Sequence, residues 1–267
     1  MSGVQRLPRL VATDLDGTLV RSDRTLSPYT IEVLRQLDAR DVPVVFVTGR
    51  PLRWTEEVFD HVGSHGIAVV SNGALVWDVT ASAPRLQRPI EGSVAVEVAE
   101  ILRTAIPGSA FGVETMRGFG IEPGFVQTFV ADVPRRGPLA DLVDGPVLKL
   151  LAKHEELGAD AFARTAAELV GDRVSVTHSS GVALLEISAP GVTKASTLAL
   201  ICAELGIDPA DVIAFGDMPN DLQMLGWAGT SYAMADAHPE VVACAMHMAP
   251  GHDDDGVARV LAGLFDL

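Results

Sequence analysis

The sequence has 267 residues, 48% of them hydrophobic and 21% charged, and its 20 Lys and Arg against 35 Asp and Glu leave a net charge of −15. That composition excludes a disordered chain. Two cysteines far apart, Cys202 and Cys244, exclude a disulfide scaffold or zinc module, and the acidity makes nucleic acid and anionic membranes poor partners.

The first seventy residues alternate between strand and helix. Arg9 to Thr13 is a short apolar run that ends at Asp14 and a glycine turn. Ser27 and Pro28 open a helix, as N-cap and first helical residue, with an apolar stripe of Ile31, Val33, Leu34 and Leu37. A second apolar strand, Val42 to Val47, ends in Thr48-Gly49-Arg50. A helix is predicted from Pro51 to about Val62, then a strand from Ile67 to Val70 ending in Ser71-Asn72-Gly73. Continuous apolar strands separated by helices imply a parallel sheet covered on both faces.

From Pro84 to Pro190 the texture changes. Helices are predicted at Val94 to Ala105 and Glu155 to Val170, and strands at Phe125 to Val130, Val147 to Ala152, Val174 to Thr177 and Ala183 to Ile187. The alternating rhythm then returns with a helix from Thr193 to Leu205 and a strand from Asp211 to Phe215 that ends in Gly216-Asp217. A helix follows Pro219, then a strand from Thr230 to Ala233, and helices start at His238 and Asp253, the last with acidic residues in its first turn. The expected architecture is α/β, a Rossmann-like doubly wound parallel sheet formed by residues 1–83 and 190–267, with an α+β module inserted at 84–189.

In an open parallel sheet, ligands bind at the carboxyl ends of the strands. Those ends deliver Asp14 with Asp16, Thr48, Asn72, and Asp217 with Asn220 and Asp221. Lys194 sits in the first turn of a helix, where a cation opposes the dipole unless an anion lies near. A strand-end carboxylate such as Asp14 can attack phosphorus, and Asp16 can protonate the leaving oxygen and then deprotonate water. Asp217 adds a third acid, and acids so close require a cation; hard oxygen ligands select Mg²⁺. Thr48 and the backbone N–H groups after each strand can hold a phosphate, with Lys194 supplying positive charge.

In this order, DLDGT (Asp14 to Thr18), the strand ending in Thr48, Lys194, and GDMPND (Gly216 to Asp221) resemble the four motifs of the haloacid dehalogenase superfamily. The insertion between the second and third motifs resembles the Cof-type branch with a type IIB α/β cap. The resemblance implies a phosphatase in which Asp14 is the nucleophile and Asp16 the general acid/base. It also implies that Asp14, the Asp16 carbonyl and Asp217 bind Mg²⁺ with support from Asp221, that Asn220 lies near the phosphoryl group, and that Thr48 and Lys194 bind phosphate. Met218 departs from the pattern, standing where Ser often follows Gly-Asp.

For the phosphate or its leaving group, the residues singled out are Gly49, Arg50 and Asn72 in the core and His178, Ser179, Ser180 and Glu186 in the cap. Glu186, between Leu185 and Ile187, is either a ligand or a solvent-facing residue of an alternating strand, and Lys149 carries the same ambiguity. The expected substrate is a small phosphorylated metabolite, with sugar phosphates foremost. A phosphosugar mutase and a non-catalytic phosphometabolite-binding regulator are the alternatives. No membrane span and no secretion signal are visible, so a cytoplasmic monomer or small homo-oligomer is expected.

Overall fold

A computed structural model describes residues 7–126 and 134–267. The chain divides into two compact units, one made of the residues up to Arg85 with Lys194–Leu267, the other of Leu86–Thr193. Among the described residues, no helix is long and apolar enough to cross a membrane.

The first unit is built on an eight-stranded sheet in the spatial order His247–Ala249, Thr230–Met234, Val212–Gly216, Leu10–Thr13, Val44–Val47, Ile67–Val70, Leu75–Asp78 and Ala83–Gln87. The first six run parallel, and Leu75–Asp78 returns antiparallel to Ile67–Val70. Strand residues alternate between two cores, as a doubly wound sheet requires. Ala12, Val45, Val47 and Ala214 pack with Leu198, Ile201, Cys202 and Leu225 on one face. Val11, Phe46, Ile213 and Phe215 pack with Val33, Leu37, Leu261 and Phe265 on the other.

The helix Pro28–Asp38 starts as its sequence dictates, with Ser27 Oγ accepting from Thr30 N at 3.0 Å. The expected helix at 51–62 is instead two short pieces, a 3₁₀ turn at Leu52–Trp54 and one helical turn at Glu56–Phe59. At the break, the Thr55 hydroxyl donates to Leu52 O at 2.6 Å, a local bond that competes with the helix ladder. The C-terminal helix runs Gly256–Phe265, so Asp253 and Asp254 precede it rather than fill its first turn. Asp253 accepts instead from the backbone N and hydroxyl of Ser22, at 2.8 and 2.7 Å.

The second unit holds a six-stranded sheet ordered Ser175–Thr177, Leu184–Ser188, Val147–Lys153, Ala110–Thr115, Gly118–Ile121 and Arg135–Arg136. It is antiparallel except at the last pair. Phe111, Val113, Leu150, Ala152, Leu185 and Ile187 share one face by register and are fully buried, on strands that pack against the helices Gly92–Ala105 and Ala159–Val170. The opposite face carries Glu114, Lys149, Glu186 and Ser188 with an apolar group of Ala110, Ile121, Phe125 and Leu151. Of the strand expected at Phe125 to Val130, residues 127–130 lie outside the described residues, and Phe125 and Val126 are not in a strand.

Candidate active site

Parallel register places the carboxyl ends of four neighbouring strands at one rim of the first sheet. Thr13 lies beside Phe215 on one side and Phe46 on the other, and Val47 beside Val69. The residues that follow these pairs are Asp14, Gly216-Asp217, Thr48 and Ser71-Asn72. The convergence read from the motifs is therefore a consequence of strand register alone.

Lys194, the first residue of the helix Lys194–Leu205, is the centre of this rim. Its side chain is fully buried, with Nζ 2.6 Å from Asp221 Oδ1 and 2.9 Å from Asp14 Oδ1. Burial works against the ammonium, but the two carboxylates outweigh it and raise its pKa. Asp221 is saturated, for its Oδ2 accepts the backbone N–H groups of Asp217 and Met218, both at 3.1 Å. Asp217 Oδ1 accepts from Thr18 Oγ1 at 2.7 Å.

One oxygen from each of Asp14, Asp217 and Asp221 lies within 4.8 Å of the others. Burial, with repulsion from Asp221 and Asp16 against attraction from Lys194, pushes Asp14 up to about 7. Burial, with repulsion from Asp14 and Asp221, pushes Asp217 up to about 8. A single ammonium does not neutralise three acids, and a hard divalent cation at Asp14 and Asp217 answers both the geometry and the charge. Asp221, its oxygens already taken by Lys194 and two N–H groups, fits a supporting place rather than direct ligation.

Glycine is required twice here. Gly17 has φ of +73°, and a Cβ there would stand 2.3 Å from Asp217 Oδ2. At Gly216 a Cβ would stand 2.5 Å from the Cβ of Asp221. Each lets two acidic segments approach more closely than any side chain permits.

Thr48 is buried, and its Oγ1 accepts from Arg50 N at 3.0 Å across the equally buried Gly49. Ser71 and Asn72 both take the left-handed conformation, with φ of 52° and 55°. The turn is held because Ser71 N donates to Arg50 O at 2.9 Å and Asn72 N to Thr48 O at 3.0 Å. It aims Asn72 Oδ1 at Asn220 Nδ2, 3.0 Å away. Ser71 Oγ and Asn220 Oδ1, both buried at this rim, have no hydrogen-bond partner among the described residues, so the site presents polar atoms still to be satisfied.

Arg50, expected to bind phosphate, is turned to Asp16 in a bidentate pair, with Nη2–Oδ1 at 2.5 Å and Nε–Oδ2 at 2.7 Å. His178 and Glu186, expected to contact the leaving group, are engaged within the second unit. His178 is buried, its Nε2 3.0 Å from Asp160 Oδ1 and its Nδ1 3.2 Å from Ser180 O. Glu186 does not face solvent, and Oε1 accepts from the buried Lys149 Nζ at 2.9 Å. Thr18 is the site residue that motif reasoning passed over. Its signal was its place immediately after the glycine turn, where a hydroxyl reaches back to a carboxylate.

The model of the haloacid dehalogenase-like hydrolase family matches residues 11–261. The chain belongs to that family. It is 30% identical to phosphoglycolate phosphatase of Haloarcula marismortui over 93% of this chain and 94% of that one. It is 28% identical to HMP-PP phosphatase of Serratia proteamaculans over 87% and 86% of the two chains. In fold it resembles BT4131, a sugar phosphatase of HAD subclass IIB, with a TM-score of 0.80 at 18% identity, covering 96% of this chain and all of that one. This haloacid dehalogenase-like hydrolase is thus similar in fold to BT4131 over nearly the whole chain.

Proposed function

We propose that the chain is a Mg²⁺-dependent phosphatase of small phosphorylated metabolites, sugar phosphates foremost, working through an aspartyl-phosphate on Asp14. The observation that carries this reading is the buried cluster of Asp14, Asp217 and Asp221 around Lys194. The Asp14 carboxylate attacks phosphorus as the bond to the leaving oxygen breaks, and Asp16 gives that oxygen its proton. Asp16 then takes a proton from water, which attacks the phosphorus of the acyl phosphate. Inorganic phosphate leaves and the Asp14 carboxylate is restored. Lys194 and Thr48 hold the phosphoryl oxygens, with Asn220 and Asn72 beside them.

Asp14, Asp217 and the carbonyl of Asp16 would hold Mg²⁺, with Asp221 in support. The ion would neutralise charge on the transferring phosphoryl group. Leu86–Thr193 is the cap of this reading. Two free cysteines, Cys202 buried and Cys244 exposed, accord with a reducing, cytoplasmic setting.

The test is phosphate release from a panel that includes phosphoglycolate and hexose phosphates, with Mg²⁺ and with a chelator. Asp14→Asn should fold and lose on the order of 10³-fold or more of the activity. Retained turnover in that variant, or full activity in chelator, would overturn the reading, and isomer formation without phosphate release would point to a mutase.

A further inference from the structure

We propose that Arg50 is a positioning residue, one that sets the direction of the Asp16 carboxyl rather than binding the phosphoryl group. The inference rests on the reading of Asp16 as general acid and base given above.

All three guanidinium nitrogens of Arg50 are engaged by the protein. Nε and Nη2 grip the two oxygens of Asp16, and Nη1 donates to Trp54 O at 3.2 Å. The backbone is pinned as firmly, with N donating to Thr48 Oγ1 and O accepting from Ser71 N. Arg50 is therefore a fixed fork built on two strand ends, and only 11% of its side chain is exposed.

Asp16 is its opposite. Its side chain is 62% exposed, and it precedes Gly17, which has positive φ and no side chain to pack against it. An exposed ion pair adds little to stability, so holding the fold together is a poor account of this contact. Orientation is a better one, because misplacing a reacting group by about 1 Å costs about 10²-fold in rate. A planar fork fixes both the position and the plane of a carboxylate, as a lysine cannot.

The proposal is tested with two substrates that differ in their need for an acid. An alkyl phosphate leaves as a poor alkoxide and needs the proton, whereas p-nitrophenyl phosphate releases a stable phenolate and does not. In kcat/KM, which stops at formation of the phosphoenzyme, Arg50→Gln should lose on the order of 10²-fold with the alkyl ester and little with the nitrophenyl ester. Arg50→Lys keeps the charge without the fork and should show the same selective loss, and it serves also if Arg50→Gln fails to fold. In an Asp16→Ala background, Arg50→Gln should cost nothing further. Equal losses on both esters, additivity with Asp16→Ala, or full recovery in Arg50→Lys would each overturn the inference. If Asp16→Ala itself loses equally on both esters, the fault lies in the general-acid reading. If Asp16→Ala is selective and Arg50→Gln is not, only the role of Arg50 falls.

Discussion

Asp14 and Asp217 sit where burial and neighbouring acids favour their neutral forms, near 7 and 8 against an ordinary 3.8. Between about pH 4 and 8, the folded protein without metal therefore holds protons that the unfolded chain has released. Its stability falls as pH rises through that window. A divalent ion binds the ionised carboxylates and competes with those protons. The rise in Tm caused by Mg²⁺ should thus be larger at pH 8 than at pH 6, as a thermal melt would show, and equal rises at both pH values would remove these two acids from the ligand set. The meeting of Asp14, Asp217, Asp221 and Lys194 was legible in the sequence because each hangs from a strand end or helix start, and parallel register brings such ends together. The partner of Arg50 was not. An arginine three residues beyond a strand reaches either a phosphate or a neighbouring acid, and only tertiary distances choose. The contact of His178 was hidden for a similar reason: the sequence does not show that the helix start at Asp160 meets a polar residue beyond a strand.

At the scale of elements, long apolar runs were read well and short ones poorly. The strands Leu10–Thr13, Val44–Val47, Ile67–Val70 and Val212–Gly216 are fully buried, so their hydrophobicity is continuous and plain. Ala83–Gln87 escaped because an exposed edge strand needs little apolar character, and Leu75–Asp78 because its apolar run is only three residues long. In the second unit, alternation alone left Lys149 and Glu186 open between solvent and a ligand. The strand order brings them together instead, with Glu114 directly opposite Lys149 on the next strand and itself buried. Lys149→Met should cost about 3–5 kcal/mol, since it takes from the buried Glu186 the ammonium that donates to it. Glu186→Gln keeps an acceptor for Lys149 and should cost clearly less. Urea unfolding of the two variants checks the order, and equal costs would mean that the acids are held by something other than this lysine.

For the whole molecule, the alternation of apolar strands and helices gave the doubly wound core, because it follows from periodicity. The pairing order inside Leu86–Thr193 was hidden, since its central strand Val147–Lys153 pairs with Ala110–Thr115 and Leu184–Ser188, neither of them its neighbour in sequence. One feature of the first sheet also bears on how the protein is made. Its central pairing joins Leu10–Thr13 to Val212–Gly216, so the two halves of the acidic cluster are far apart in sequence. Contacts of such long sequence separation close slowly, whereas Leu86–Thr193 is continuous and can assemble first. Pulse-labelled hydrogen exchange during refolding should protect the second sheet before the strand carrying Asp14. A nascent chain halted before Val212 holds Asp14 and Lys194 but neither Asp217 nor Asp221. The acidic cluster is therefore complete only once Val212–Gly216 has paired with Leu10–Thr13.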